Sequence, residues 1–268
     1  MAKLKSLVIT GDGLNCEEET REAYKIVEAE PYLIHITDFL DGNANINDYH
    51  ILNFIGGFAN GDHLGAGTVQ AVRFRHKLRE QLQEYIDSGK LVIGICNGFQ
   101  TIIKMGILPG MDGDYTSRTA TLMTNDSGKF EDRWVYLKAN KDSPCIWTKG
   151  IDNLFIPVRH GEGKFFTLED ELISRLFNDE QIVLQYSDKS FENPTMEYPL
   201  NPNGSLNAIA GICDSTGRIF GLMPHPEAYL YPYNHPSWAR DVSLGKKLQK
   251  EGQGVQVFRN AVEYVKQS

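Results

Sequence analysis

The chain has 268 residues, 41% of them hydrophobic and 23% charged, with a formal net charge of -8. That composition is globular and long enough to bury a large core. The acidic balance excludes the basic surface that a nucleic-acid partner requires, and no apolar run approaches the roughly 18 residues of a membrane span.

Four cysteines, Cys16, Cys96, Cys145 and Cys213, stand far apart and form no CxxC pair, so zinc-site spacing is absent and no metal is expected. The opening Met-Ala-Lys-Leu-Lys-Ser runs directly into a strand pattern without the apolar core of a secretory leader. A cytoplasmic location with free thiols follows as the expectation. On that footing the sequons at Asn125 and Asn203 are chance matches.

Leu4–Thr10 reads as a first strand, broken by Gly11-Asp12-Gly13. Asn15, with Glu18 three residues on, predicts a capping box at the start of a helix. The glycine spacing here does not meet the dinucleotide fingerprint. Residues 31–36 and 51–55 read as the second and third strands. Strand, helix, strand in this order predicts a parallel sheet with covering helices. Residues 56–67 then hold five glycines in twelve. A glycine-rich loop after a parallel strand offers free N–H groups where open α/β sheets bind ligands; a mobile surface loop or a phosphate site are the other readings of its composition. Leu78, Leu82, Tyr85 and Ile86 form a helical stripe that ends at Ser88-Gly89.

Residues 91–95, Leu-Val-Ile-Gly-Ile, read as a buried strand. Cys96 follows at once, then Asn97-Gly98 and the helical pattern from Phe99. A cysteine on a tight strand-to-helix turn is lifted out of the sheet beside a helix N-terminus that favours the thiolate. This is the cysteine form of the nucleophile elbow. Taken alone, Cys96 could equally be a small core hydrophobe.

Residues 109–133 are poor in apolar residues and read as an excursion, followed by strands at 134–139 and 154–158. Arg159 to Lys164 reads as a second glycine-bearing loop around His160. A helix at 169–177 and a strand at 181–186 come next, then an irregular aromatic segment and the strong turn Asn201-Pro202-Asn203-Gly204-Ser205. Residues 206–213 and 218–223 form strands about the turn 214–217. The chain closes with a helix carrying Phe258, Ala261, Val262 and Val265.

Between these elements stands Pro224-His225-Pro226-Glu227. Two prolines force an extended segment, in which residues i and i+2 project to the same side. His225 and Glu227 therefore point together, and a carboxylate beside an imidazole fixes its tautomer and raises its basicity. Cysteine, histidine and glutamate in this combination make an activated thiol.

The stretches 94–100 and 223–227 resemble the paired signatures of class I, triad-type glutamine amidotransferases. The Gly-Gly-Phe-x-x-Gly-Asp loop at 56–62, the Asn-Gly-Phe after Cys96, residues 157–163 and the turn at 201–205 are similar to the glutaminase-subunit family of phosphoribosylformylglycinamidine synthases. The resemblance implies a three-layer α/β, flavodoxin-like fold: a mostly parallel central sheet with covering helices and an added mixed or antiparallel portion. It implies one domain over 1–268 with insertions near 109–150 and 228–245. It implies hydrolysis of L-glutamine by Cys96, His225 and Glu227. The oxyanion would be held by backbone N–H groups among Gly57, Phe58 and Asn97, and glutamine by Gln100, His160 and Gly161. Ammonia would pass to a PurL-like synthetase subunit, with a small PurS-like subunit, for amination of formylglycinamide ribonucleotide.

No cofactor is expected in this chain. It lacks the Gly-x-x-x-x-Gly-Lys-Ser/Thr loop, and ATP and Mg are expected at the synthetase. The turn 201–205 and residues 229–238 are candidate docking surfaces. Two departures stand out: Gly65 and Ala228 occupy positions where the family usually carries arginine. The rival readings are a glutaminase subunit of another synthetase, a DJ-1/PfpI-like cysteine hydrolase, and a non-catalytic protein on the same fold.

Overall fold

The computed structural model describes residues 3–267. In chain order the strands are β1 Lys5–Thr10, β2 Glu30–His35, β3 Ile51–Phe54, β4 Leu91–Ile95, β5 Thr121–Thr124, β6 Glu131–Ala139, β7 Asn153–His160, β8 Glu162–Phe166, β9 Ile182–Ser187, β10 Ile209–Cys213 and β11 Ile219–Leu222. The helices are α1 Glu17–Ile26, α2 Ile36–Leu40, α3 Thr68–Lys77, α4 Arg79–Asp87, α5 Asn97–Met105, α6 Asp170–Asn178, α7 Trp238–Ser243 and α8 Val255–Gln267.

Nine strands form one sheet in the order β2-β1-β3-β4-β11-β10-β9-β6-β7, and β5 pairs with β8 apart from it. From β2 to β11 every pairing is parallel; from β11 to β7 every pairing is antiparallel. The α/β class and the added antiparallel portion both hold. In the parallel half, β3 and β4 are buried along their whole length. Strands covered on both faces must read as continuous apolar runs, and these do.

Order β2-β1-β3-β4 places the topological switch between β1 and β3, where ligand crevices form in such sheets. The loops leaving these two strands meet there: Leu14 and Gly57 form an antiparallel bridge, Phe58 N donates to Gly13 O at 2.7 Å, and Asn15 N donates to Gly56 O at 3.3 Å.

Several local expectations are corrected. Cys16, not Asn15, precedes the first turn of α1, and no side chain caps it, so the capping box does not form; Asn15 is drawn into the bridge with the Gly56 loop instead. Residues 159–164 are not a loop. β7 runs through His160, and β8 starts at Glu162, leaving Gly161 as the only break. The turn 201–205 is not a docking surface. Asn201, Asn203 and Ser205 are buried, and Ser205 Oγ accepts from Phe165 N at 2.9 Å. Its polar side chains satisfy the edge of β8 rather than face solvent.

Among the described residues, no helix is long and apolar enough to cross a membrane.

Candidate active site

The register of β4 on β11 brings the two chemistry-bearing stretches together. Gly94 lies opposite Gly221 and Ile95 opposite Leu222. Cys96 N donates to Leu222 O at 2.8 Å, so the elbow begins where β11 ends. His225 stands three residues beyond Leu222. β7 closes over both: Pro157 O accepts from His225 N at 2.8 Å, and Arg159 O accepts from the Cys96 thiol at 3.4 Å.

Cys96 has φ 51° and ψ -107°, a conformation costly for a side-chain-bearing residue. The surrounding glycines make the turn possible. A Cβ on Gly98 would stand 1.8 Å from Phe54 O, and one on Gly94 would stand 2.8 Å from Gly98 O. α5 therefore starts in contact with β3 and β4, with its free N–H groups at the sulfur. The Asn97 side chain locks this arrangement. Its Oδ1 accepts from Ala59 N at 3.3 Å, and its Nδ2 donates to Asp62 Oδ1 and Gln100 Oε1, both at 2.9 Å.

His225 Nδ1 and Glu227 Oε1 are 2.5 Å apart, both side chains buried. Burial alone would lower the imidazole pKa. The Glu227 carboxylate and the Cys96 and Cys16 sulfurs outweigh it and hold His225 well above the ordinary histidine range. Nε2 of His225 and Oε2 of Glu227 are buried with no hydrogen-bond partner. A ring anchored at Nδ1, with Nε2 open and its charged form favoured, is suited to hold the proton of a nearby thiol.

A second thiol reaches the same imidazole. Cys16 is buried at the start of α1, and its sulfur lies within 4.8 Å of ligand atoms of both His225 and Glu227. Burial raises its pKa, and the neighbouring His225 works against that rise. Nothing in the spacing of Asn15-Cys16 announced this; its place just after β1, beside the switch point, was the available signal.

The glycine-rich loop lies over the elbow. Gly57 has φ 137°, and a Cβ there would stand 2.7 Å from Leu14 Cα. Of the three sequence candidates for oxyanion donors, Phe58 is excluded, because its N–H is already spent on Gly13 O. The N–H groups of Gly57 and Asn97 remain as candidates.

Gln100, His160 and Gly161 are near the elbow, but the two side chains are engaged. Gln100 Nε2 donates to Glu162 O, and its Oε1 accepts from Asn97. His160 Nδ1 is 3.1 Å from Asn125 Oδ1, and its Nε2 faces Asn203 Nδ2 at 3.5 Å. Burial, with the neighbouring His225 charge, pushes the His160 pKa down to about 3. A Cβ on Gly163 would stand 2.4 Å from that ring, so the strand backbone is packed directly on it. Gly161 O accepts from Asn125 N at 2.9 Å. These residues hold the loop and β7 in place rather than presenting free groups.

Lys104 packs against Gly65. A Cβ there would stand 3.4 Å from Lys104 Nζ, which donates to Thr68 Oγ1 at 3.1 Å.

Sequence reasoning missed the cleft beside the elbow, of about 190 Å³, lined by Asn15, Cys16, Glu19, Phe58, Arg159 and His225 among others. Arg159 Nε and Nη2 are buried there without partners. Glu19 borders the same cleft, and Phe58 and Phe130, rings 6.0 Å apart, form its exposed rim.

Comparison with known proteins bears on this site. The CobB/CobQ-like glutamine amidotransferase domain matches residues 3–265. The phosphoribosylformylglycinamidine synthase subunit PurQ of Methanococcus maripaludis (strain S2) is 42% identical over 269 residues, covering 97% of each chain. PurQ of Dehalococcoides mccartyi is 43% identical over 100% of both. Among solved structures, PurLQS from Thermotoga maritima superposes with a TM-score of 0.71 at 28% identity, covering 98% of this chain and 100% of that one.

Proposed function

Because the chain belongs to the CobB/CobQ-like glutamine amidotransferase family, we propose that it is the glutaminase subunit of a phosphoribosylformylglycinamidine synthase. It hydrolyses L-glutamine to glutamate and passes the ammonia to a PurL-like synthetase, with a PurS-like subunit in the assembly. That synthetase converts formylglycinamide ribonucleotide to the amidine, with ATP and Mg chemistry on its side. The observation that carries the reading is the elbow: Cys96, at φ 51°, hydrogen-bonded to the end of β11 beside the His225–Glu227 pair.

The chemistry follows from that geometry. The Cys96 sulfur, its proton taken by His225 Nε2, attacks the side-chain amide carbon of glutamine. Charge develops on the amide oxygen, and the N–H groups of Gly57 and Asn97 receive it. One such donor is worth about 2.7–4 kcal/mol in comparable acyl transfers. His225 returns the proton to the departing nitrogen, and the C–N bond breaks to leave a glutamyl thioester and ammonia. Water then gives its proton to His225 and attacks the thioester. The C–S bond breaks, Cys96 is restored, and glutamate leaves. Glu227 keeps the ring oriented and its charged form stable throughout.

The cleft supplies recognition of the amino-acid head. Its unpartnered Arg159 guanidinium takes the α-carboxylate, and Glu19 takes the α-ammonium. This reading moves glutamine recognition off the side chains of Gln100 and His160 and leaves them as positioning groups.

A second reading, with Cys16 as nucleophile, is favoured by its approach to His225. Its backbone lacks the elbow, at φ -104°, and burial raises its pKa. The test is glutamine hydrolysis with and without the synthetase. Cys96→Ala is expected to abolish it, and Cys16→Ser to leave it within about tenfold. Full activity in Cys96→Ala would sink the assignment. Activation by no synthetase would favour a stand-alone hydrolase.

A further inference from the structure

We propose that Cys16, His225 and Glu227 also form a binding site for a thiophilic divalent cation such as Zn2+, and that its occupancy switches the catalytic base off. One ligand atom from each residue lies within 4.8 Å of the other two, and all three residues are buried. Thiolate, imidazole and carboxylate are the donors zinc takes. Two further observations point to a ligand. His225 Nε2 and Glu227 Oε2 are buried without partners. Only a glycine at 56 lets thiol and ring approach each other over one stretch of backbone: a Cβ there would clash, 3.0 Å from Cys16 Sγ and 2.8 Å from His225 Cε1. The mechanism above gives the Cys16 thiol no task.

The geometry needs small changes. Metal–ligand bonds of about 2.0–2.3 Å give tetrahedral edges of about 3.3–3.8 Å. The sulfur moves inward by up to about 1 Å, within the play of one χ1 rotation. The His225–Glu227 contact opens from 2.5 Å to about 3.3 Å if both residues ligate through the facing atoms. That opening removes the ring's orienting hydrogen bond, and with Nδ1 on the metal the neutral ring carries its proton on Nε2, which can then no longer take one from a thiol. Binding forms a metal–sulfur bond at Cys16 and a metal–nitrogen bond at His225, and releases the thiol proton and the extra imidazolium proton to solvent. The inhibitory half of the proposal rests on the glutaminase reading; the binding half does not.

The experiment uses the full chain, oxygen-free and with a non-thiol reductant. Co2+ is titrated in and followed by its thiolate charge-transfer band, and Zn2+ is then used to displace it. Wild type and Cys96→Ser are expected to bind one equivalent with the band. Cys16→Ser is expected to lose the band and to bind Zn2+ at least about tenfold more weakly. Zn2+ inhibition of glutamine hydrolysis should weaken by the same factor in Cys16→Ser. Identical Zn2+ binding in Cys16→Ser and wild type overturns the proposal. So does a band that depends on Cys96 and not on Cys16. Cys16→Ala, read by the same criterion, decides the matter where the serine variant folds poorly. A protein that binds Co2+ through Cys16 but never hydrolyses glutamine would contradict the functional reading and not the metal site.

Discussion

His225 Nδ1 meets Glu227 Oε1 at 2.5 Å inside the protein, with one proline before the histidine and another between the pair. His225 itself is extended, at φ -107° and ψ 91°, but Pro226–Ala228 is a 3-10 turn and not the extended segment expected, and that turn brings the Glu227 carboxylate back against the ring. The carboxylate has no other partner for its second oxygen, so its geometry serves the imidazole alone.

Glu227→Gln keeps the shape and removes the charge. It is expected to lower kcat/KM for glutamine by about 10²–10⁴. The loss should lie in kcat, because Glu227 does not touch the substrate. An unchanged kcat would remove Glu227 from the mechanism.

Arg159→Gln and Glu19→Gln test the recognition of the amino-acid head. A charge-assisted hydrogen bond is worth about 1.5–3 kcal/mol, so each is expected to raise KM about ten- to a hundredfold with a smaller change in kcat. A glutamine analogue lacking the α-carboxylate should be a poor substrate for wild type. It should be discriminated against far less by Arg159→Gln. Equal discrimination by both proteins would place the carboxylate elsewhere.

His160 couples stability to pH. Its folded pKa, about 3, is below the roughly 6.5 of an unfolded histidine, so the unfolded state binds the extra proton first. Its contribution is fully present above about pH 6.5 and declines as pH falls toward 3. Between pH 6.5 and 4.5 the loss is about 2–3 kcal/mol. Urea unfolding across this range should show a shallower acid slope for His160→Gln than for wild type. Parallel slopes would mean that His160 is not held neutral by burial.

The site's local chemistry was legible in the chain because it depends on near neighbours. The apolar run 91–95 with a following cysteine specifies an elbow by backbone geometry, whereas the pairing of His225 with Glu227, expected from an extended segment, is made by the 3-10 turn at Pro226–Ala228. The parallel strands were legible because burial on both faces demands continuous apolar runs. What needed the folded structure was competition for partners. Phe58 N–H is consumed by Gly13 O, so only Gly57 and Asn97 stay open. Gln100 and His160 are turned inward by Glu162, Asn125 and Asn203. The Asn15–Glu18 box yielded to the bridge between Leu14 and Gly57.

By itself, then, the amino-acid order determined which residues are reactive and which backbone turns present them. The tertiary structure decided which hydrogen-bonding groups remain free once distant strands have taken theirs. It also decided that Cys16, Glu19 and Arg159 join the site. Each arrives from a strand or helix end remote in sequence, and periodicity reports the face a residue occupies, not the neighbour it meets there.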